Sequence, residues 1–121
     1  MVQLIEAPTK IAGHGNLPKV IQEFVGRVNS DTSQTSIARM SSPTGWEEAG
    51  QTPEFDEFTL VLEGTLRVAT RNGNVDVRAG QAIIAPKGEW VQYSTPFEGG
   101  ANYIAVCVPA FSPDLVHRDP E

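Results

Sequence analysis

Glycine and proline recur along the whole length of this chain and divide it into short segments. The 121 residues include eleven glycines and nine prolines, which are spread out rather than clustered. Between them lie runs rich in β-branched and aromatic residues, such as FTLVLEG. The dipeptide Asn72-Gly73, placed between two alternating runs, is a strong short-range signal for a β-hairpin. The pattern predicts an all-β domain built as a sandwich or barrel.

One stretch near the N-terminus departs from this pattern. Its apolar residues fall at the i, i+3, i+4, i+7 and i+8 positions of a helix, and Gly26 follows them. These residues are Leu17, Val20, Ile21, Phe24 and Val25. We therefore expect one short N-terminal helix, preceded by an edge strand over residues 2–7. In the tail, Ser112 and Pro113 predict the N-cap and first position of at most one helical turn.

The length and net charge of the chain exclude several classes of protein function. The length suits a single domain, with an N-terminal strand and helix over 1–30, a barrel core over 35–109 and a tail over 110–121. A net charge of -6 disfavours nucleic acid and anionic membranes as partners. No apolar run approaches the roughly 18 residues that span a bilayer, and the N-terminus does not resemble a signal peptide. With a single cysteine, Cys107, these features predict a cytoplasmic protein.

Two blocks of the sequence have a fixed spacing of glycine and proline. The first block runs Gly45-x5-Gln51-x-Pro53-x3-Glu57-x6-Gly64, and the second runs Gly80-x5-Pro86-x-Gly88-x2-Val91-x3-Thr95. This framework resembles the two motifs of the cupin superfamily (RmlC-like jelly rolls), Gly-x5-His-x-His-x3/4-Glu-x6-Gly and Gly-x5-Pro-x-Gly-x2-His-x3-Asn. The resemblance implies a small double-stranded β-helix barrel, with its pocket inside, that pairs as a homodimer.

The segments DEFTLVLEGTLRV and PKGEWVQYSTP are in addition similar to the cupin domain of EutQ-type ethanolamine-utilisation proteins. Those proteins also have an apolar residue where the second motif has histidine. The resemblance implies acetate kinase activity as a further alternative. We do not extend that activity to this chain, because it has no Gly-x4-Gly-Lys-Ser/Thr loop and no basic cluster to hold nucleotide phosphates.

The metal-binding positions of the cupin motifs are degenerate here. The two histidines of the first motif are replaced by Gln51 and Pro53, or by Gly50 and Thr52 with the longer spacing, and the third is replaced by Val91. Of the four ligand positions, Glu57 alone retains the family's residue. Transition-metal sites use three or four protein ligands, so we predict no metal and no other cofactor. The alternative is a weak divalent site at Gln51 and Glu57.

The candidate site residues follow from strand alternation and the cupin match. Glu57 and Thr59 share one strand face, which the resemblance assigns to the barrel interior. A carboxyl group among apolar walls has a raised pKa and suits general acid–base work, in which Tyr93 is a second candidate. The candidate ligand-binding residues are Gln51, Arg39, Thr59, Val91, Tyr103 and Cys107.

Three functions remain open from the sequence. The first is a metal-independent isomerase or lyase that acts on a small polar metabolite through Glu57. The second is a ligand-binding or sensing module that uses the same pocket without turnover. The third is a structural dimer whose own side chains fill the barrel. The fold alone does not choose among them, because cupins host many functions.

Overall fold

The computed structural model describes residues 1–120 as nine strands and one short helix. The strands are β1 (Thr9–Ala12), β2 (Val20–Val25), β3 (Ser36–Ser42), β4 (Trp46–Glu47), β5 (Asp56–Thr70), β6 (Gly73–Arg78), β7 (Ala82–Ala85), β8 (Val91–Thr95) and β9 (Ala101–Val108). The helix α1 (Pro113–Val116) follows the last strand. The all-β cupin-like fold expected from the sequence is confirmed.

The long strand β5 joins two antiparallel sheets into a curled half-barrel. Its first half pairs with β7 on one side and β9 on the other, and the first sheet continues from β9 through β3 and β2 to β1. Its second half pairs with β6 and β8, and β8 also pairs with β4. At the junction, Gly64 has φ +76°, and a Cβ there would collide with the Gly100 carbonyl oxygen. Only glycine meets both requirements without strain.

The inner faces of the two sheets form a hydrophobic core at one end of the barrel and leave a cavity beside it. Strand alternation turns Val61 of β5 inward, and after the register shift between Val61 and Glu63 it turns Leu66 and Val68 inward. All three are fully buried together with Trp46. A second, smaller cluster joins Phe55 and Cys107 to residues of the tail. Helix α1 supplies Val116 to this cluster, so the tail is packed onto the barrel.

The predicted N-terminal helix is wrong, because the segment forms strand β2. Val20–Val25 pairs with β1 and β3, and the register with β3 shifts between Glu23 and Val25. This β-bulge interrupts the two-residue alternation, so the apolar positions imitate helical spacing. Valine, isoleucine and phenylalanine favour extended structure, and pairing with two neighbouring strands decides the outcome.

The other local predictions have mixed outcomes. Residues 2–7 form no strand, and the first strand begins at Thr9. The hairpin at Asn72-Gly73 is present between β5 and β6, and Ser112 caps α1 by accepting a hydrogen bond from the Asp114 amide. Within residues 1–120, no helix has the length and apolar character needed to cross a membrane.

Candidate functional site

A cavity of about 190 Å³ lies inside the barrel, between the inner faces of the two sheets. Such a volume is below the roughly 300–1,000 Å³ of sites for drug-sized ligands and suits a smaller molecule. Apolar side chains make up most of its lining, with a few ionisable groups among them. The lining residues are Ile11, Ala12, His14, Ile21, Glu23, Ser36, Ala38, Met40, Glu48, Gln51, Phe55, Glu57, Thr59, Tyr93, Tyr103, Ala105, Cys107, Phe111, Pro113 and Arg118.

The first half of β5 positions Glu57 at this cavity. Glu57 pairs with Ala85 of β7 and Cys107 of β9, so strands hold its backbone on both sides. Thr59 follows on the same face and is buried. From the opposite sheet, the Tyr93 hydroxyl donates a hydrogen bond of 3.1 Å to Glu57 Oε1. The structure thus turns Glu57 toward the cavity, the orientation that strand alternation and the cupin resemblance predict, and brings it into contact with Tyr93.

The surroundings of Glu57 favour its protonated form. Burial, and then repulsion by the Glu48 carboxylate, raise the pKa of Glu57 from 4.5 to about 7. The Tyr93 hydrogen bond and the Lys19 charge oppose this shift without cancelling it. Burial, and then the Glu57 carboxylate, raise the pKa of Tyr93 well above 10, so its phenol stays protonated. Glu57 thus exchanges a proton near neutral pH while Tyr93 remains a hydrogen-bond donor.

Glu48 and His14 are site residues that the sequence does not predict. The sequence places Glu48 in an acidic stretch that reads as solvated surface, yet the structure turns it into the cavity, where burial raises the pKa of its carboxyl group. His14 lies in the loop between β1 and β2, and Trp46 Nε1 donates a 2.8 Å hydrogen bond to its carbonyl oxygen. Both are placed by long-range contacts, which leave no local sequence signal.

Lys19 and Tyr103 form a polar cluster at the edge of the cavity. Lys19 Nζ donates a 3.1 Å hydrogen bond to the Tyr103 hydroxyl and lies 4.0 Å from the centroid of the Trp46 ring. The Tyr103 hydroxyl and the Ser42 hydroxyl are 3.0 Å apart and share a second hydrogen bond. Tyr103 was predicted to face inward and does so. Because its hydroxyl is held by Lys19 and Ser42, it shapes the wall of the cavity.

Cys107 also faces the cavity, as the strand parity predicts. It is a free, buried cysteine. Burial and the neighbouring Glu57 carboxylate raise the pKa of its thiol, so the thiolate form is strongly disfavoured. Cys107 therefore contributes a small apolar surface to the site rather than a nucleophile.

Three predicted ligand-binding residues lie at different positions relative to the cavity. Gln51 is buried at the cavity wall, and its main chain bridges to Val91 and Arg118. Val91 is buried in the hydrophobic core and is not among the residues that line the cavity. Arg39 does not line the cavity either. Ala38 and Met40 turn inward from β3, so the alternating backbone directs Arg39 outward to solvent.

Two further charged residues line the cavity without a sequence signal. Glu23 is buried, and its Oε2 accepts hydrogen bonds from the Val28 and Asn29 amides at 3.0 and 2.9 Å. It therefore anchors the loop after β2 as well as closing the cavity. Arg118 reaches the cavity from the C-terminal segment, which the sequence analysis treated as a tail.

The donor set at the former ligand positions does not fit a transition metal of the kind that cupins hold. Gln51 and Glu57 supply oxygen donors, whereas Pro53 and Val91 supply none. In the part of the chain that the structure describes, no group of three or more His, Cys, Asp or Glu side chains is placed to hold a metal ion. The absence of a cofactor stays a prediction.

Comparison with known protein families identifies the family to which this chain belongs. The family model for "Ethanolamine utilisation protein EutQ" matches residues 44–112, which is more than half of the chain. The chain belongs to the EutQ family. The matched region contains β4 to β9 and therefore Glu57 and Tyr93, whereas His14 and Arg118 lie outside it.

Two curated relatives align with most of this chain, whereas the alignment covers only a part of each relative. "Endoribonuclease YbeY" of Myxococcus xanthus is 41% identical over 101 residues, which cover 84% of this chain and 34% of the relative. "Acetate kinase EutQ" of Salmonella typhimurium is 29% identical over 83 residues, which cover 67% of this chain and 36% of the relative. The chain thus spans about a third of the length of the curated relatives that it matches.

Solved structures share the fold. The Clostridium difficile EutQ protein has a TM-score of 0.65 at 25% identity, over 77% of this chain and 64% of that one. The polyketide cyclase RemF from Streptomyces resistomycificus has a TM-score of 0.77 at 16% identity, over 100% and 87% of the two chains. Pac13 of Streptomyces, described as a nucleoside dehydratase, has a TM-score of 0.73 at 16% identity, over 98% and 90%.

Proposed function

We propose that the barrel interior binds a small polar metabolite and that Glu57 acts on it as a general acid–base in isomerase- or lyase-type chemistry. The observation that carries this proposal is the hydrogen bond between Tyr93 and Glu57 at the wall of the cavity. A carboxyl group with a pKa of about 7 is divided between its acid and base forms at neutral pH, which is where proton transfer is most efficient.

The second carboxylate supports separate acid and base roles. Glu48 lines the same cavity, and its charge is one cause of the raised pKa of Glu57. Two carboxyl groups that repel each other in one cavity favour the state in which one is protonated and the other is ionised, so that the pair can supply one acid and one base to a substrate. Proton transfer between carbon or oxygen atoms of a metabolite needs no more than such a pair, with the Tyr93 hydroxyl to orient Glu57.

The fold does not decide between turnover and binding alone. Proteins of this fold include the polyketide cyclase RemF and the nucleoside dehydratase Pac13, but their identity to this chain is low enough that only the fold is shared. A non-catalytic binding or sensing module would use the same cavity. A structural dimer with a barrel filled by its own side chains is disfavoured by the cavity of about 190 Å³.

A metabolite screen with matched variants tests the proposal. Thermal shifts identify ligands of the wild-type protein, and NMR then follows whether each ligand is converted or exchanges a carbon-bound proton with deuterated water. We expect Glu57→Gln to fold and to lose conversion, because glutamine keeps the shape of the side chain but cannot transfer the proton. Glu63→Gln, on the exposed part of the same strand, is the control and should behave as wild type.

Two outcomes would contradict the acid–base role. A ligand that binds in the cavity but is neither converted nor exchanged by the wild type indicates a binding module. Conversion at the wild-type rate by Glu57→Gln assigns the chemistry to another residue.

We also propose that the chain forms a homodimer through the outer face of the first sheet. This outer apolar face consists of Phe58, Leu60, Leu62, Ile84 and Val108, of which Ile84 is 65% exposed. Monomers seldom expose contiguous apolar side chains of this size. The five side chains carry no charge, so a second copy can pack against them in a two-fold pairing without placing like charges in direct contact.

A further inference from the structure

Arg118 is directed into the cavity by the way the C-terminal segment is tied to the barrel. After α1 the chain runs beside residues 50–52: the Thr52 amide donates to the His117 carbonyl oxygen at 3.2 Å, and the Asp119 amide donates to the Gly50 carbonyl oxygen at 2.8 Å. Asp119 is held outside by a 2.8 Å hydrogen bond from Trp90 Nε1. With both of its neighbours exposed, Arg118 takes the inward position.

The guanidinium group of Arg118 has unused hydrogen-bonding capacity. Its Nε is buried and has no hydrogen-bond partner among residues 1–120, a condition that no other side-chain nitrogen or oxygen of that stretch shares. Folded proteins rarely leave a buried N–H group without an acceptor. No ion pair joins Arg118 to a carboxylate within the described chain. The acceptor is therefore expected from outside the chain.

We propose that Arg118 is the anion-binding residue of the cavity and that the metabolite acted on at Glu57 is a small carboxylic acid. This inference rests on the proposed function and narrows its substrate class. A carboxylate matches the planar fork of a guanidinium group through two parallel hydrogen bonds. With the carboxylate held at Arg118, the rest of the molecule extends through the cavity toward Glu57 and Tyr93.

The charges around the cavity favour a carboxylate over a phosphate. A phosphate group carries nearly two negative charges and needs several donors, but among residues 1–120 Arg118 is the only lysine or arginine that lines the cavity. The Lys19 ammonium group is already held by the Tyr103 hydroxyl and the Trp46 ring. Glu48 and Glu57 would repel a dianion more strongly than a monoanion. Apart from His14, Glu23 and Gln51, the remaining wall consists of short, aromatic or apolar side chains, which suit a compact aliphatic acid.

Paired ligands that differ only in charge test this substrate class. Isothermal titration calorimetry would measure binding of lactate and glycolate against their neutral amides, lactamide and glycolamide, and against inorganic phosphate. We expect the wild type to bind at least one carboxylate about ten-fold more tightly than its amide. Arg118→Met, which keeps the length of the side chain, should lower carboxylate affinity by about 10- to 100-fold and leave amide affinity unchanged.

The variants include a matched control and a second substitution. Arg39→Met removes an arginine that faces solvent and should bind as wild type does. Arg118→Lys keeps the charge but loses the planar fork, so it should bind carboxylates between wild type and Arg118→Met. Thermal melting shows whether Arg118→Met folds. If it does not, the amide ligands still measure the contribution of the ligand's charge, and Arg118→Lys still measures the contribution of the planar guanidinium geometry.

The outcomes separate this inference from the proposed function. Equal lactate and glycolate affinities in wild type and Arg118→Met, no carboxylate binding at all, or tighter binding of phosphate would each overturn the carboxylate assignment. Loss of conversion in Glu57→Gln would still support the acid–base role in those cases. Conversely, carboxylate binding that depends on Arg118 without any conversion by the wild type supports Arg118 and contradicts the acid–base role.

Discussion

Replacement of Glu57 by glutamine should stabilise the fold at alkaline pH. In the folded protein the carboxyl group has a pKa of about 7, against 4.5 for the unperturbed group. Between these two values the folded state binds more protons than the unfolded state, so stability falls as pH rises through that window. The destabilisation is absent below pH 4.5 and complete above pH 7. Glutamine does not ionise, so the substitution removes this pH-dependent destabilisation.

The magnitude follows from the difference of about 2.5 units between the two pKa values. Each unit corresponds to about 1.4 kcal/mol, so ionised Glu57 destabilises the fold by about 3 kcal/mol at pH 8.5. At pH 5.5, where the unfolded state is ionised and the folded state is not, the same relation gives about 1.4 kcal/mol. Glu57→Gln should therefore gain about 2 kcal/mol more stability at pH 8.5 than at pH 5.5.

Urea unfolding followed by tryptophan fluorescence at the two pH values measures this difference. The difference between the pH values cancels the constant effects of the substitution, such as a changed hydrogen bond to Tyr93. Glu63→Gln is the control, since an exposed carboxylate should change stability by less than about 0.5 kcal/mol at either pH. An equal change in the free energy of unfolding at both pH values would refute the reasoning, because it would mean that Glu57 has the same pKa in the folded and unfolded states.

Three further predictions test other parts of the structure. Tyr93→Phe removes the hydrogen bond that lowers the pKa of Glu57, so the midpoint of the stability–pH profile should move above that of the wild type; an unchanged or lower midpoint contradicts the contact. Leu60→Glu puts a charge on the outer apolar face, and light scattering should change from about 26 kDa to the 13.1 kDa of one chain; a wild type that already has the single-chain mass contradicts the dimer. Gly64→Ala should cost over about 2 kcal/mol in urea unfolding, and Gly80→Ala, with a similar positive φ but open space, about 1 kcal/mol; equal losses would show that the close approach to Gly100 is unimportant.

The parts of the fold that the sequence predicts are those with a local chemical cause. The hairpin at Asn72-Gly73 needs a positive φ at glycine, and the turn at Ser112-Pro113 needs a capping hydroxyl and a residue without an N–H group. Glu57 and Tyr93 were found because strand parity and the spacing of two motifs relate them. Each of these signals lies within a few residues of the structure that it specifies.

The remaining features depend on contacts between distant segments. Strand β2 was mistaken for a helix because its bulge between Glu23 and Val25 breaks the alternation that identifies strands. The inward position of Arg118 is set by backbone hydrogen bonds to residues 50–52. Glu48 is held by β8, where its amide donates to the Tyr93 carbonyl oxygen at 3.3 Å. The outward direction of Arg39 follows from its place between Ala38 and Met40, which the pairing of β3 turns toward the cavity. A single sequence contains no local mark of such contacts.

The most direct test of the account is the titration of the Glu57 carboxyl group itself. Protein labelled with ¹³C at the glutamate side-chain carboxyl carbon gives one NMR signal for each glutamate, and the signal missing from Glu57→Gln identifies residue 57. We predict that this signal titrates with a midpoint near pH 7, because burial and the Glu48 carboxylate disfavour the ionised form. A midpoint near 4.5 would show that Glu57 is solvated and ionised at neutral pH, and it would contradict the proposed acid–base site.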